Sequence, residues 1–199
     1  ILAISLDLSL RIFAAFWRIL YLSNELIFFH FKNALSAALK SIDFQPGNSD
    51  NYVNLCEVYM KINDMPRAAK SVNHAIKLDN QNAKAYLSSG KISLESGDSL
   101  HAEKQFINSI KLNNTSPDAY RCLSIAQCAS GNYRASIESI ENAIRLRPSC
   151  PHNKEIEAIV RSRLNEAESP ISSSLKNRFL HNQEVHFPIT FKRPVEKGL

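Results

Sequence analysis

Glycine and proline are scarce, at 5 and 8 residues of 199. Collagen-like sequence and glycine-rich phosphate loops are excluded on that ground. Cysteine is sparse too: Cys56, Cys122, Cys128 and Cys150 form no C-x-x-C pair, so neither a zinc site nor a thioredoxin-type redox pair has support. The expectation is reduced, buried thiols serving as small apolar groups, in a reducing compartment. Charge of one sign is nowhere concentrated. The net +5 divides into +1 over 1–48, +2 over 49–150 and +2 over 151–199. No segment is a basic patch of the kind that grips nucleic acid.

Catalytic signatures are missing as well. The chain has no G-x-x-x-x-G-K, G-x-G-x-x-G, H-E-x-x-H or G-x-S-x-G. Its histidines, His30, His74, His101, His152, His181 and His186, lie far apart, and its carboxylates are dispersed rather than paired for acid–base work. The expectation is a protein that is not an enzyme and holds no cofactor or metal. His74 and His101 read as solvated imidazoles on the polar sides of helices.

Long apolar runs are absent, although the N-terminal segment is apolar overall. Of residues 1–31, 22 are apolar, yet the longest uninterrupted run, Ile12 to Trp17, is six residues. Arg11, Arg18, Glu25 and Lys32 recur every seven residues and would draw one charged stripe on a helix. A bilayer span would bury Arg18 near its centre, at about 2.5–3.5 kcal/mol. Asp7 interrupts the run that a secretory signal would need. The segment therefore reads as buried or partner-covered helices, with a membrane anchor as the alternative.

What the chain does have is a 44 % apolar fraction with 22 % charge, which is the composition of a folded chain. It also has an internal period. Tyr52, Tyr86 and Tyr120 are spaced by 34, and so are Ala68, Ala102 and Ser136. Ala75, Ser109 and Ala143 keep the spacing, as do Ile76, Ile110 and Ile144, and Leu78, Leu112 and Leu146. Each unit reads as two amphipathic helices. Tyr52, Leu55, Cys56 and Tyr59 share one face of the first, and Ala68, Val72, Ala75 and Ile76 share the inner face of the second. Turns fall at Asn63-Asp64, Gly97-Asp98 and Gly131-Asn132, where glycine takes positive φ. Cys56, Gly90 and Ser124 form a small-residue column that lets paired helices approach, while Val72, Phe106 and Ile140 fill the hollow.

These columns resemble the tetratricopeptide repeat (TPR) family. Its aromatic column falls on Tyr52, Tyr86 and Tyr120. Its Leu-Gly pair becomes Leu55-Cys56, Ser89-Gly90 and Leu123-Ser124, and its closing proline survives at Pro148. The resemblance implies an all-α fold, a right-handed α-solenoid of 34-residue helix–turn–helix repeats with a C-terminal capping helix. The boundaries read as an apolar helix at 1–14, a degenerate repeat at 15–48, repeats at 49–82, 83–116 and 117–150, a capping helix at 151–167 and a flexible tail at 168–199. In the capping helix Ile156, Ile159, Val160 and Leu164 are expected inward. The tail, with Pro170, Pro188 and Pro194, shows no periodicity.

Function in such arrays, as the resemblance implies, lies on the concave face lined by the first helices. That face is expected to present Asp50, Val53, Asn54, Glu57, Met60 and Lys61 from the first unit. Lys84, Leu87, Ser88, Lys91, Leu94 and Glu95 come from the second, and Asp118, Arg121, Cys122, Ile125 and Cys128 from the third. The candidate binding residues are Asn54, Glu57, Met60, Lys84, Leu87, Lys91, Leu94, Arg121 and Ile125. They suit a protein or peptide partner with apolar anchors and some acidic character. TPR modules that clamp a chaperone's C-terminal carboxylate use a Lys/Asn/Asn/Lys/Arg set. Asn54 and Lys84 match two members, but Ile19, Ser23 and Ser88 stand at the rest, which argues against that clamp. The leading reading is a non-catalytic, cytoplasmic interaction scaffold. The alternatives are a membrane-tethered adaptor anchored by residues 1–31 and a regulatory TPR fragment of a larger enzyme.

Overall fold

The computed structural model describes residues 30–168. The N-terminal segment up to residue 29, the first helix assigned to the unit at 15–48, and the tail from 169 onward lie outside the described residues. Every regular element among the described residues is a helix. Residues 30–44 form α1, followed by α2 (Ser49–Lys61), α3 (Met65–Leu78), α4 (Ala83–Glu95), α5 (Ser99–Leu112), α6 (Pro117–Ala129), α7 (Tyr133–Leu146) and α8 (Pro151–Glu168). None of these helices is long and apolar enough to cross a membrane.

The helix boundaries follow from local chemistry that also recurs every 34 residues. Asn48, Asn82 and Ser116 stand before α2, α4 and α6, and the side chain of each accepts a hydrogen bond from a first-turn amide. Asp64 and Asp98 do the same for α3 and α5, accepting from the Arg67 amide at 3.1 Å and the His101 amide at 2.9 Å. Each such cap is worth about 1 kcal/mol. Between the paired helices the chain reverses through left-handed backbone: φ is 64° at Asn63, 84° at Gly97 and 81° at Gly131. Asparagine and glycine tolerate that region best.

The chain divides into two compact units, one ending at Ser96 and the other beginning at Gly97. In the first, α3 and α4 both pack on α2. Val53, Cys56, Ala68, Val72, Ala75 and Ala85 form its core, with Tyr52, Tyr59 and Ile76 against it. Asn51 closes the top of this unit. Its Nδ2 donates to the Ser41 carbonyl at 2.8 Å and the Gln45 carbonyl at 3.2 Å, occupying acceptors at the end of α1.

In the second unit α6 packs on α5 and α7, and α8 packs on α7. The small-residue columns meet here in a hydrogen-bonded pair. Ser136 Oγ donates to the Ser124 carbonyl at 2.7 Å, and the two hydroxyls are 2.9 Å apart, both fully buried. A second polar thread runs across three helices. Ser139 Oγ donates to Gln127 Oε1 at 2.7 Å, and Gln127 Nε2 reaches Glu103 Oε1 at 3.4 Å. Among the described residues no buried side-chain polar atom lacks a partner.

The last helix departs from its sequence reading at one position. Ile156 and Val160 enter the core beside Cys128, Ile140 and Ala143, but Ile159 is 46 % exposed rather than inward. A terminal helix touches neighbours along one side only, so an (i, i+4) pair satisfies it and the residue between remains outside. Asn153 Nδ2 donates to the Ala143 carbonyl at 3.3 Å, repeating at the end of α7 what Asn51 does at the end of α1. Arg134 and Arg161 reach Glu168 and Glu141 at 2.7 Å each, lacing α7 to α8 along an exposed edge.

Candidate partner-binding surface

In the first unit, α2 and α4 lie side by side. Val53 of α2 and Ala85 of α4 belong to the same core, which fixes their seam. Asn82 then pins the two helix starts together. Its Oδ1 caps α4 at the Lys84 and Ala85 amides, while its Nδ2 donates to Ser49 Oγ and to Asp50 Oδ1. The sequence reading missed Asn82, although its place 34 residues after the cap Asn48 is a legible signal.

Around this seam Asn54, Glu57 and Lys84 are exposed, and Met60, Leu87, Lys91 and Leu94 are half-buried. On α4, Lys84, Leu87, Lys91 and Leu94 follow one another at steps of three and four residues, a single stripe along the helix. Met60 rests against the unit's core. In the second unit Arg121 and Ile125 of α6 are half-buried, with Ile125 packed on that unit's core.

Four side chains expected on the surface are not there. Val53 is 2 % exposed, Ser88 1 %, Cys122 7 % and Cys128 5 %. The physical reason is that each inner helix of a stacked array has more than one buried face. The stripe facing its paired helix is legible as Leu55, Cys56 and Tyr59. The stripe facing the next first helix, with Val53 against Ala85, carries no periodic marker of its own.

The electrostatics also differ from a plain basic strip. Lys84 Nζ lies 3.8 Å from Asp50 Oδ2. Arg121 Nη2 lies 2.7 Å from Asp118 Oδ1, and Arg147 Nη1 approaches the same oxygen at 3.6 Å. Two of the three cations assigned to the surface thus have carboxylate neighbours. The thiol of Cys56, within the first unit's core, is pushed up to about 12, first by burial, then by Glu57, with Lys91 pulling the other way. Burial likewise raises the Cys128 thiol against the opposing charge of Arg163. Thiols held protonated in this way are poor nucleophiles and metal ligands.

His74 is exposed as expected, but it is not simply solvated: its ring lies on Tyr52, with centroids 4.3 Å apart and planes tilted by 56°. Among the described residues no group of three or more His, Cys, Asp or Glu is placed to hold a metal ion. A hollow of about 480 Å³ is lined by Glu138, Glu141, Asn142 and Arg145 of α7 and by none of the candidate residues.

No family model matches the sequence, and no curated protein matches it. Solved structures do share the fold. The crystal structure of MamA superposes with a TM-score of 0.55 at 22 % identity, covering 75 % of this chain and 92 % of that one. The first TPR of Spaghetti (RPAP3), bound to the HSP90 peptide SRMEEVD, gives 0.57 at 14 % identity, covering 59 % and 93 %. The Arabidopsis OM64 TPR domain gives 0.55 at 21 % identity, covering 57 % and 94 %. The described chain is an all-α helical-repeat structure with a TPR-like fold.

Proposed function

We propose that the chain is a non-catalytic protein-interaction scaffold that takes a peptide or partner helix on the exposed faces of its first helices. One observation carries this reading. α2 and α4 give two faces to the core and still leave Met60, Leu87 and Leu94 half-exposed beside the polar Asn54, Glu57, Lys84 and Lys91. Arg121 and Ile125 of α6 offer the same mixture in the second unit. Half-buried apolar side chains flanked by polar ones are the composition of recognition grooves for amphipathic segments. A solved structure of the same fold holding a chaperone peptide supports the class of ligand. It does not extend to the carboxylate clamp, because Ser88, at one clamp position, is buried.

Within this proposal the apolar anchors dominate and the acidic preference is secondary, since Asp50 and Asp118 already sit beside Lys84 and Arg121. The chain works in the cytoplasm as one part of an assembly. The test is affinity for the partner recovered from cells by crosslinking at Leu87. Leu87→Ala with Leu94→Ala should weaken binding at least roughly tenfold, as loss of two buried anchors implies. Lys84→Ala should change it less than about threefold. The reverse order would place the ligand elsewhere.

A further inference from the structure

Among the described residues, the second helix α3 carries a stripe of positive charge on the side turned away from its core. On α3 the buried side is Ala68, Ser71, Val72 and Ala75, and the opposite side exposes Arg67, Lys70, His74 and Lys77. These four follow at steps of three, four and three residues, so they form one stripe about 15 Å long. α3 itself contains no acidic residue. The flanking carboxylates are occupied: Asp64 caps the helix and meets Arg67 at 3.3 Å, and Asp79 accepts the Gln81 amide at 2.9 Å. Neither Lys70 nor Lys77 forms an ion pair, and His74 is held in the stripe by its ring contact with Tyr52.

The same stripe recurs in sequence on α5. His101, Lys104 and Lys111 stand 34 residues after Arg67, Lys70 and Lys77. There too Lys104 and Lys111 are exposed without an ion pair, and the helix's one carboxylate, Glu103, faces Gln127. The pattern breaks at α7, where Glu138 takes the place of Lys104 and Arg145 that of Lys111, and Arg134 and Glu141 are paired with α8.

We infer that the exposed stripe of α3, Arg67, Lys70, His74 and Lys77, docks an acidic protein segment. Charge complementarity selects the class of occupant. A membrane-surface helix needs an apolar face to bury in the lipid, and the apolar face of α3 is already spent on the core. Carboxylates repeated every three to four residues on a helix, or every second residue on a strand, match the stripe's spacing.

The experiment uses the full chain and a short glutamate-rich peptide as probe, read by fluorescence anisotropy at low and high salt, beside phosphatidylserine vesicles in a sedimentation assay. The wild-type chain should bind the peptide at low salt and lose it as salt is added. Lys70→Glu with Lys77→Glu should weaken binding roughly tenfold, as reversal of two exposed contacts implies. Lys40→Glu with Lys154→Glu, exposed on α1 and α8 and outside both surfaces, should leave it unchanged within about twofold. All of these positions are at the surface, and unchanged circular dichroism melts confirm that the variants fold. Equal binding by the Lys70/Lys77 variant and the wild type overturns the inference. So does sedimentation with vesicles in the absence of peptide binding.

Discussion

Ser124 and Ser136 occupy columns where neighbouring repeats place Cys56 or Gly90 and Ala68 or Ala102. Two hydroxyls fit a fully buried contact because each satisfies the other and one reaches a carbonyl. Ser136→Ala leaves the Ser124 hydroxyl buried without its acceptor and should cost about 1–3 kcal/mol. The double change to alanine removes both polar groups and should cost less than Ser136→Ala alone, a comparison that chemical denaturation of the three variants decides. Cys56 makes a separate test. Its thiol is shifted upward from 9.0 to about 12, so the folded state holds the proton more tightly than the unfolded state does. The associated stability is fully present below about pH 9 and is lost as the pH rises toward 12. In the native protein at neutral pH, alkylation followed by mass spectrometry should label the half-buried Cys150 first and leave Cys56 intact until the chain unfolds.

Elements were legible in the sequence wherever one stripe of side chains decided the outcome. Ala68, Val72 and Ala75 recur with the period of the array and are all buried, and the turns at Asn63, Gly97 and Gly131 take the positive φ that their residue types favour. What stayed hidden was the second buried face of the first helices. Val53 and Ser88 look like surface residues in a single-stripe reading, yet both are buried, Val53 in the core that α2 shares with α4. The candidate site was legible for the same reason only in outline: its residues are partly exposed, but Asp50 and Asp118 sit close enough to offset the cations beside them. At α8 the error ran the other way, because a terminal helix has fewer neighbours than the amphipathic pattern implies. Ile156→Ala should therefore destabilise the second unit by about 2–4 kcal/mol, while Ile159→Ala should stay within about 0.5 kcal/mol. Thermal melts of the two variants, side by side, give the answer; equal losses would put Ile159 in the core after all.

At the scale of the described chain, two surfaces stand out, one on the first helices and one on the outer side of α3. First helices carry half-exposed Met60, Leu87, Leu94 and Ile125, with Asp50 beside Lys84 and Asp118 beside Arg121, and α3 and α5 carry exposed lysines with no ion pair. Under the two proposals made above, the first helices hold an amphipathic segment and α3 meets an acidic one. The claim that the first-helix face is the binding face is tested most directly by site-specific photocrosslinking in cells, with a photoreactive amino acid in place of Leu87, of Ile125 or, as a control on the back of α7, of Glu138. The account expects discrete protein adducts from Leu87 and Ile125 and none from Glu138. Adducts from Glu138, with Leu87 and Ile125 silent, would contradict it.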